Sequence, residues 1–215
     1  MEEYRRPASK TTIICDIDGT IANLQHRLHY IKNSDGTKKK KPDWDSFHKA
    51  AIDDEPYRDV LEVVLDLFLG MQLVHEGVHR QLPKNMKPPS PQLLFFSGRN
   101  ESVRAETEQW LSNISGHFEA PNLYMRSADD RRPDMVVKLE MMNSLGLTPD
   151  DVLCIFDDRQ SVVDMWRANG FRVMQVDAWK EDGRWQDELR ARLEEASKHL
   201  DKNLWREEVD PKDVH

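Results

Sequence analysis

The chain has 215 residues, 31 of them basic and 39 acidic, for a formal net charge of −8. That length suits one domain with elaborations or two small ones, enough to bury a sizeable core. No apolar run approaches the roughly 20 residues a membrane helix needs, and the acidic balance argues against a protein that coats nucleic acid. The start, Met1-Glu2-Glu3-Tyr4, does not read as a secretory signal. Two cysteines, Cys15 and Cys154, cannot form a disulfide scaffold, so a reducing, cytoplasmic setting is expected. The charge is uneven: residues 1–50 carry 10 basic and 7 acidic side chains, while residues 151–215 carry 11 and 16.

Residues 1–10 form a polar lead-in. Thr11 to Asp16 is a β-branched and apolar run predicted to be a buried strand, ended by the turn residues Asp18-Gly19-Thr20. Residues 23–56 lack a period and are predicted to be an inserted, loop-rich segment. One short helix is expected near Trp44 to Ala51, with Asp43 as its N-cap. Val60, Leu61, Val64, Leu65, Phe68 and Leu69 form one helical stripe over 57–71. Residues 72–92 hold four prolines and predict an exposed loop. Strands are then predicted at Leu93 to Phe96, Asn122 to Arg126, Val152 to Phe156 and Phe171 to Val176. Helices are predicted over 101–115, 134–146 and 160–169, and a charged helix over about 186–205. Strands alternating with helices imply an α/β fold, a parallel Rossmann-like sheet with helices on both faces.

Two of these strands end in paired carboxylates, Asp16-Ile17-Asp18 and Asp157-Asp158, and a third ends in Ser97-Gly98-Arg99. In parallel α/β sheets, sites form outside the carboxyl ends of the strands, so these groups are expected at one edge. Carboxylates crowded together repel by about 1–4 kcal/mol per pair at 4 Å. A hard divalent cation relieves that repulsion, and Mg²⁺ takes oxygen ligands of this kind. The lack of His or Cys ligands at suitable spacing disfavours zinc, and His26, His29 and His48 are expected in surface or packing roles.

Asp16-Ile17-Asp18-Gly19-Thr20 resembles the first motif of haloacid dehalogenase-like (HAD) phosphatases. Ser97 after an apolar strand resembles the second, Lys138 in Val136-Val137-Lys138 the third, and Asp157-Asp158 the fourth. Ser97 to Glu101, Val136 to Lys138 and Asp157 to Arg167 are similar, more narrowly, to the phosphatase half of phage-type polynucleotide kinase-phosphatases. Gly170, Gln175 and Val176 extend that likeness. No GxxxxGK[ST] phosphate loop is present, so the kinase half has no counterpart.

The resemblance implies a mechanism. Asp16 would be the nucleophile and Asp18 the acid and base. Ser97 and Lys138 would hold the transferring oxygens. Mg²⁺ would sit at Asp16, Asp18 (through its backbone carbonyl) and Asp157, with Asp158 in a supporting metal contact. Arg27, Gly98 and Arg99 are the expected substrate-binding residues, the two arginines making forked contacts to phosphate. The implied activity is a Mg²⁺-dependent phosphomonoesterase acting on nucleotide or polynucleotide phosphate ends, foremost a polynucleotide 3′-phosphatase. A nucleoside monophosphate phosphatase and a catalytically silent nucleotide-binding scaffold are the alternatives.

The expected organisation is a single domain over 1–215. It carries a small cap insertion at 23–56, a Pro-rich loop at 72–92 and a charged helical extension at 180–215. Lys38 to Lys41 read as a solvated run or as a flap that meets phosphates. Trp44 and Tyr30 read as core, with base stacking as the alternative. A homodimer or a separate kinase partner is open; no membrane role is expected.

Overall fold

The computed structural model describes residues 10–83, 89–116 and 121–176. These residues lie within the unit Met1–Trp179. The C-terminal helix expected over 180–215 lies outside them.

Five parallel strands make the sheet: β1 (Thr12–Asp16), β4 (Gln92–Asn100), β5 (Asn122–Arg126), β6 (Val152–Asp157) and β7 (Val173–Gln175). Their order across the sheet is β5-β4-β1-β6-β7, with β1 central. The chain thus winds outward from β1 on one side and then returns to the other, which leaves a crevice at the carboxyl ends. Side chains alternate along each strand and sort into two cores. Ile13, Cys15, Leu93 and Phe95 pack with Leu61, Val64 and Phe68 of α2 (Arg58–Gln81) and with Trp110 and Leu111 of α3 (Arg104–Ser115). Ile14, Leu94, Phe96 and Ile155 pack on the other face with Met142 of α4 (Asp134–Ser144) and with Val162 and Trp166 of α5 (Gln160–Ala168). The sheet is apolar on both faces because both are covered, which explains the unbroken apolar runs of its strands. Cys15 and Cys154 are buried core residues without a disulfide.

The segment 23–56 is closed at its base by the antiparallel pair β2 (Ala22–Asn23) and β3 (Glu55–Pro56). Between them lie a 3-10 helix, Gln25–Tyr30, the short α1 (Trp44–Lys49), and a second 3-10 helix, Ala50–Asp53. The Asp43 carboxylate accepts from the Ser46 amide at 3.0 Å, capping α1 as expected.

Two expectations need correction. Residues 72–81 are not loop: α2 runs on to Gln81. The stripe that identifies the helix ends at Leu69, because the later turns leave the core, exposing Leu73, Val74 and Val78. Without a buried face there is no periodicity to read. The strand expected to end at Phe96 continues to Asn100, with its register against β5 shifted between Ser97 and Asn100. Among the described residues no helix is long and apolar enough to cross a membrane.

Candidate active site

The carboxyl ends of β1, β4 and β6 bring the sequence-identified residues together. After Asp16 the chain turns tightly: the amides of Thr20, Ile21 and Ala22 all converge on the Ile17 carbonyl, at 3.3, 3.0 and 2.9 Å. Gly19 takes φ 94° in this turn, which a side chain would strain. The turn delivers the Thr20 hydroxyl to Asp16 Oδ2 at 3.0 Å, with Asp158 Oδ1 at 3.3 Å. One hydroxyl proton serves one acceptor at a time, and the shorter contact is to Asp16.

Lys138, one turn into α4, reaches down to the same point. Its Nζ donates to Asp16 Oδ1 at 2.6 Å and to Asp157 Oδ2 at 2.9 Å, with Asp134 Oδ2 at 3.5 Å. Asp16, Asp157 and Asp158 are all buried and present carboxylate oxygens within 4.8 Å of one another. Three carboxylates face one ammonium here. Burial pushes the Asp16 carboxyl well up, and Asp157 and Asp158 add to this against the pull of Lys138. Burial, followed by Asp157, pushes Asp158 up to about 7. Burial disfavours the Lys138 ammonium, but Asp157, Asp16 and Asp134 outweigh it and hold it well above its ordinary value. Crowding of this kind favours protonation of a carboxyl, and a bound cation would relieve it in the same way.

Asp18 belongs to a different group. Its carboxylate receives Arg27 Nη2 at 2.7 Å and Arg99 Nε at 2.8 Å. Burial alone would raise it, but Arg99 and Arg27 hold it well below the usual carboxylate range. Both guanidiniums are fully buried and share a second acceptor, Asp54. Asp54 takes Arg27 Nε and Nη2 and Arg99 Nη2, each at 2.7 Å. Arg27 also lies over the Phe47 ring, 4.2 Å from its centroid, and Arg99 5.3 Å from that of Trp110. Arg27 and Arg99 are the residues expected to make forked contacts to phosphate. Their forks grip Asp18 and Asp54, and neither residue lines the open cavity. The Asp18 carboxylate likewise lies outside the metal-competent triad.

β4 supplies the remaining pieces. Ser97 is buried, and its Oγ accepts from the Arg99 amide at 3.1 Å. The shifted register at Gly98 and Arg99 acts as a bulge that aims Arg99 at Asp18. It also brings Gly98 against Asp134: a Cβ there would meet Asp134 Oδ1 at 2.6 Å.

A cavity of about 620 Å³ opens above these groups. Asp16, Asp18, Lys138 and Asp158 line it, together with the cations Lys38, Arg126, Arg131, Arg132 and Arg159 and the carboxylates Asp45, Asp130 and Asp134. Asp54, Asp134 and Arg126 were missed by motif reading. Asp134 stands four residues before Lys138, on the same helix face, and that spacing was a usable signal. Asp54 sits in the aperiodic insertion, where nothing local marks it. Trp44, read as core, is exposed at the cavity. Its short helix buries only Phe47.

Residues 69–180, just over half the chain, match the family model of the polynucleotide kinase PNKP phosphatase domain. β1 with Asp16 and Asp18 precedes the matched stretch, yet it closes the same site. A protein of Autographa californica nuclear polyhedrosis virus named "Putative bifunctional polynucleotide kinase/RNA ligase" is 26% identical over 155 residues. That alignment covers 72% of this chain but only 17% of the viral protein. A chain in the structure of the Pnkp1/Rnl/Hen1 RNA repair complex has a TM-score of 0.55 at 24% identity, over 82% of this chain and 45% of that one. A second structure of that complex gives 0.53 at 23% identity, over 80% and 47%. Both share the α/β fold, and the chain spans less than half of either. The chain belongs to the PNKP phosphatase-domain family of the HAD superfamily, and it is a phosphatase.

Proposed function

We propose that this phosphatase removes 3′-phosphates from polynucleotide ends, with Mg²⁺ and through an aspartyl-phosphate on Asp16. The observation that carries the reading is a cavity over the Asp16, Lys138 and Asp158 cluster that Lys38 and four arginines also line, with Arg126 and Arg132 balanced there by Asp134 and Asp130. A small phosphorylated metabolite would need one such anchor. A strand end brings further phosphates to the remaining cations.

The donor set fits a hard divalent ion. The groups able to ligate a cation are all carboxylates, Asp16, Asp157 and Asp158, and one ammonium, Lys138, stands against the three. Asp16, Asp157 and Asp158, with the backbone carbonyl of Asp18, would hold Mg²⁺, which supplies charge neutralisation and orients the phosphate. Asp16 attacks phosphorus and forms the covalent intermediate, splitting one displacement into two. Lys138, already hydrogen-bonded to Asp16, fixes that carboxylate and steadies charge on the transferring oxygens, and Ser97 assists it. Asp18 donates a proton to the leaving oxygen and afterwards accepts one from water. In the substrate-free site Asp18 is ionised, because two arginines stabilise its charge. An incoming phosphate dianion offsets those arginines and lets Asp18 take up its proton.

A second reading rests on the cavity volume. About 620 Å³ is also suited to a whole mononucleotide. A panel with Mg²⁺ or EDTA separates the two. It compares 3′-phosphorylated oligonucleotide, 5′-phosphorylated oligonucleotide, 3′-mononucleotides and 5′-mononucleotides. The 3′-phosphorylated oligonucleotide should be turned over fastest, and only with Mg²⁺. A preference for 5′-mononucleotides would overturn the strand-end reading. The named relatives combine kinase and ligase, or assemble in a repair complex. A kinase or ligase partner supplied by another chain is therefore part of this proposal.

A further inference from the structure

The nucleotide reading leaves the aromatic wall of the cavity without a role. α1 presents Trp44, Phe47 and His48 at i, i+3 and i+4, on one helical stripe. Phe47 is the anchor: it is buried and lies under the Arg27 guanidinium. It meets the Trp44 ring edge-on, with centroids 5.7 Å apart. His48 stacks on Trp44 at 6.0 Å with 26° between the rings. Trp44 is thereby held in place yet is 38% exposed, and it lines the same cavity as Asp16 and Asp18. Lys38, also exposed, places its Nζ 5.7 Å from the centroid of the Trp44 ring. His48 Nδ1 is buried without a hydrogen-bond partner, and His48 lines the cavity.

We propose that Trp44 is the stacking platform for the base next to the phosphate being cleaved, a reading that rests on the nucleotide substrate class proposed above. An indole accepts any base, since every base offers a π-face. An exposed ammonium near the ring is a loose cation–π contact, easily exchanged. When a base takes the ring, Lys38 has a four-carbon stem with which to swing onto a strand phosphate. Phe47 ties the platform to Arg27, and through it to Asp18, so base and phosphate are read by one rigid element.

The test is a selectivity ratio. Wild type, Trp44→Ala and Trp44→Phe are assayed on a 3′-phosphorylated oligonucleotide and on the same strand with an abasic 3′-terminal residue. Wild type should prefer the base-bearing end, and Trp44→Ala should collapse that preference by about 5- to 100-fold, chiefly through KM. Trp44→Phe, which keeps a stacking ring, should retain most of it. Equal losses on both substrates in Trp44→Ala, or none on either, would overturn the proposal. Should wild type reject 3′-phosphates, the strand-end reading fails by itself. The same ratio is then taken between a 5′-mononucleotide and ribose 5-phosphate, where an unchanged ratio in Trp44→Ala overturns the platform.

Discussion

Replacing Asp54 with alanine removes the acceptor that Arg27 and Arg99 share. Its two carboxylate oxygens receive three guanidinium contacts at 2.7 Å, and His26 Nε2 lies 2.9 Å away. The side chains of Asp54, Arg27 and Arg99 are all fully buried. Deleting Asp54 would leave two buried cations facing one carboxylate, Asp18. Breaking a buried pair by removing one partner costs about 3–5 kcal/mol, because the remaining charge stays desolvated. That is a large share of the roughly 5–15 kcal/mol by which a domain is stable. At this chain length it corresponds to a fall in melting temperature of about 6–20 °C. Asp54→Asn should fall between, since one carbonyl still accepts while the amide nitrogen faces a guanidinium. Urea unfolding of wild type and both variants gives the free energies directly. Phosphate release well below the melting point tests whether Asp18 remains aimed. A loss under about 1 kcal/mol with full activity in Asp54→Ala would refute the claim that Asp54 holds the arginines on Asp18.

Two further outcomes follow from the same geometry. Gly98→Ala would place a methyl 2.6 Å from Asp134 Oδ1. Asp134 cannot easily yield, being paired with Arg126 at 3.0 Å, Lys138 at 3.5 Å and Arg159 at 3.6 Å. A cost of about 1–3 kcal/mol and reduced turnover are expected, and a wild-type melting curve would contradict this. The acidic triad sets a pH dependence. Asp158 is raised from its ordinary value to about 7, so between about pH 4 and 7 the folded protein holds protons that the unfolded chain has lost. Without metal, stability should therefore fall as pH rises through that window. Asp18, which is depressed, adds stability that is lost only as pH falls below its unfolded value, so it does not oppose this trend. Mg²⁺ should raise the melting temperature more at pH 8 than at pH 5.5, where it competes with the proton. Melting curves in EDTA that are flat from pH 5 to 8 would contradict the crowded triad.

Much of this was legible in the residues. A parallel sheet buried on both faces writes continuous apolar runs, and each run ended where its polar site residue began. The runs themselves thus set Asp16, Ser97 and Asp157 at one edge of the sheet. The far half of α2 was not legible, because a helix that leaves the core loses the stripe that announces it. Nor was Asp54. Its role depends on meeting Arg27 and Arg99 across the insertion and the sheet, a pairing separated by 27 and 45 positions. Arg27 and Arg99 stand out by their motif position, but a buried arginine beside a carboxylate and one beside a phosphate leave the same trace in sequence. Trp44 reads as core or as a base-stacking ring, and a six-residue helix with one buried side chain cannot reveal which way its other ring faces.

The account turns on Asp16 as nucleophile, and Mg²⁺-dependent phosphate release by Asp16→Ala from a 3′-phosphorylated oligonucleotide tests it most directly. Removing a carboxylate from an over-acidic cluster should leave the protein folded, with a melting temperature in EDTA equal to or above that of wild type. Release should nevertheless fall by at least about 10⁴-fold, the scale of losing a nucleophile. An Asp16→Ala protein that releases phosphate at a rate near wild type would contradict the account.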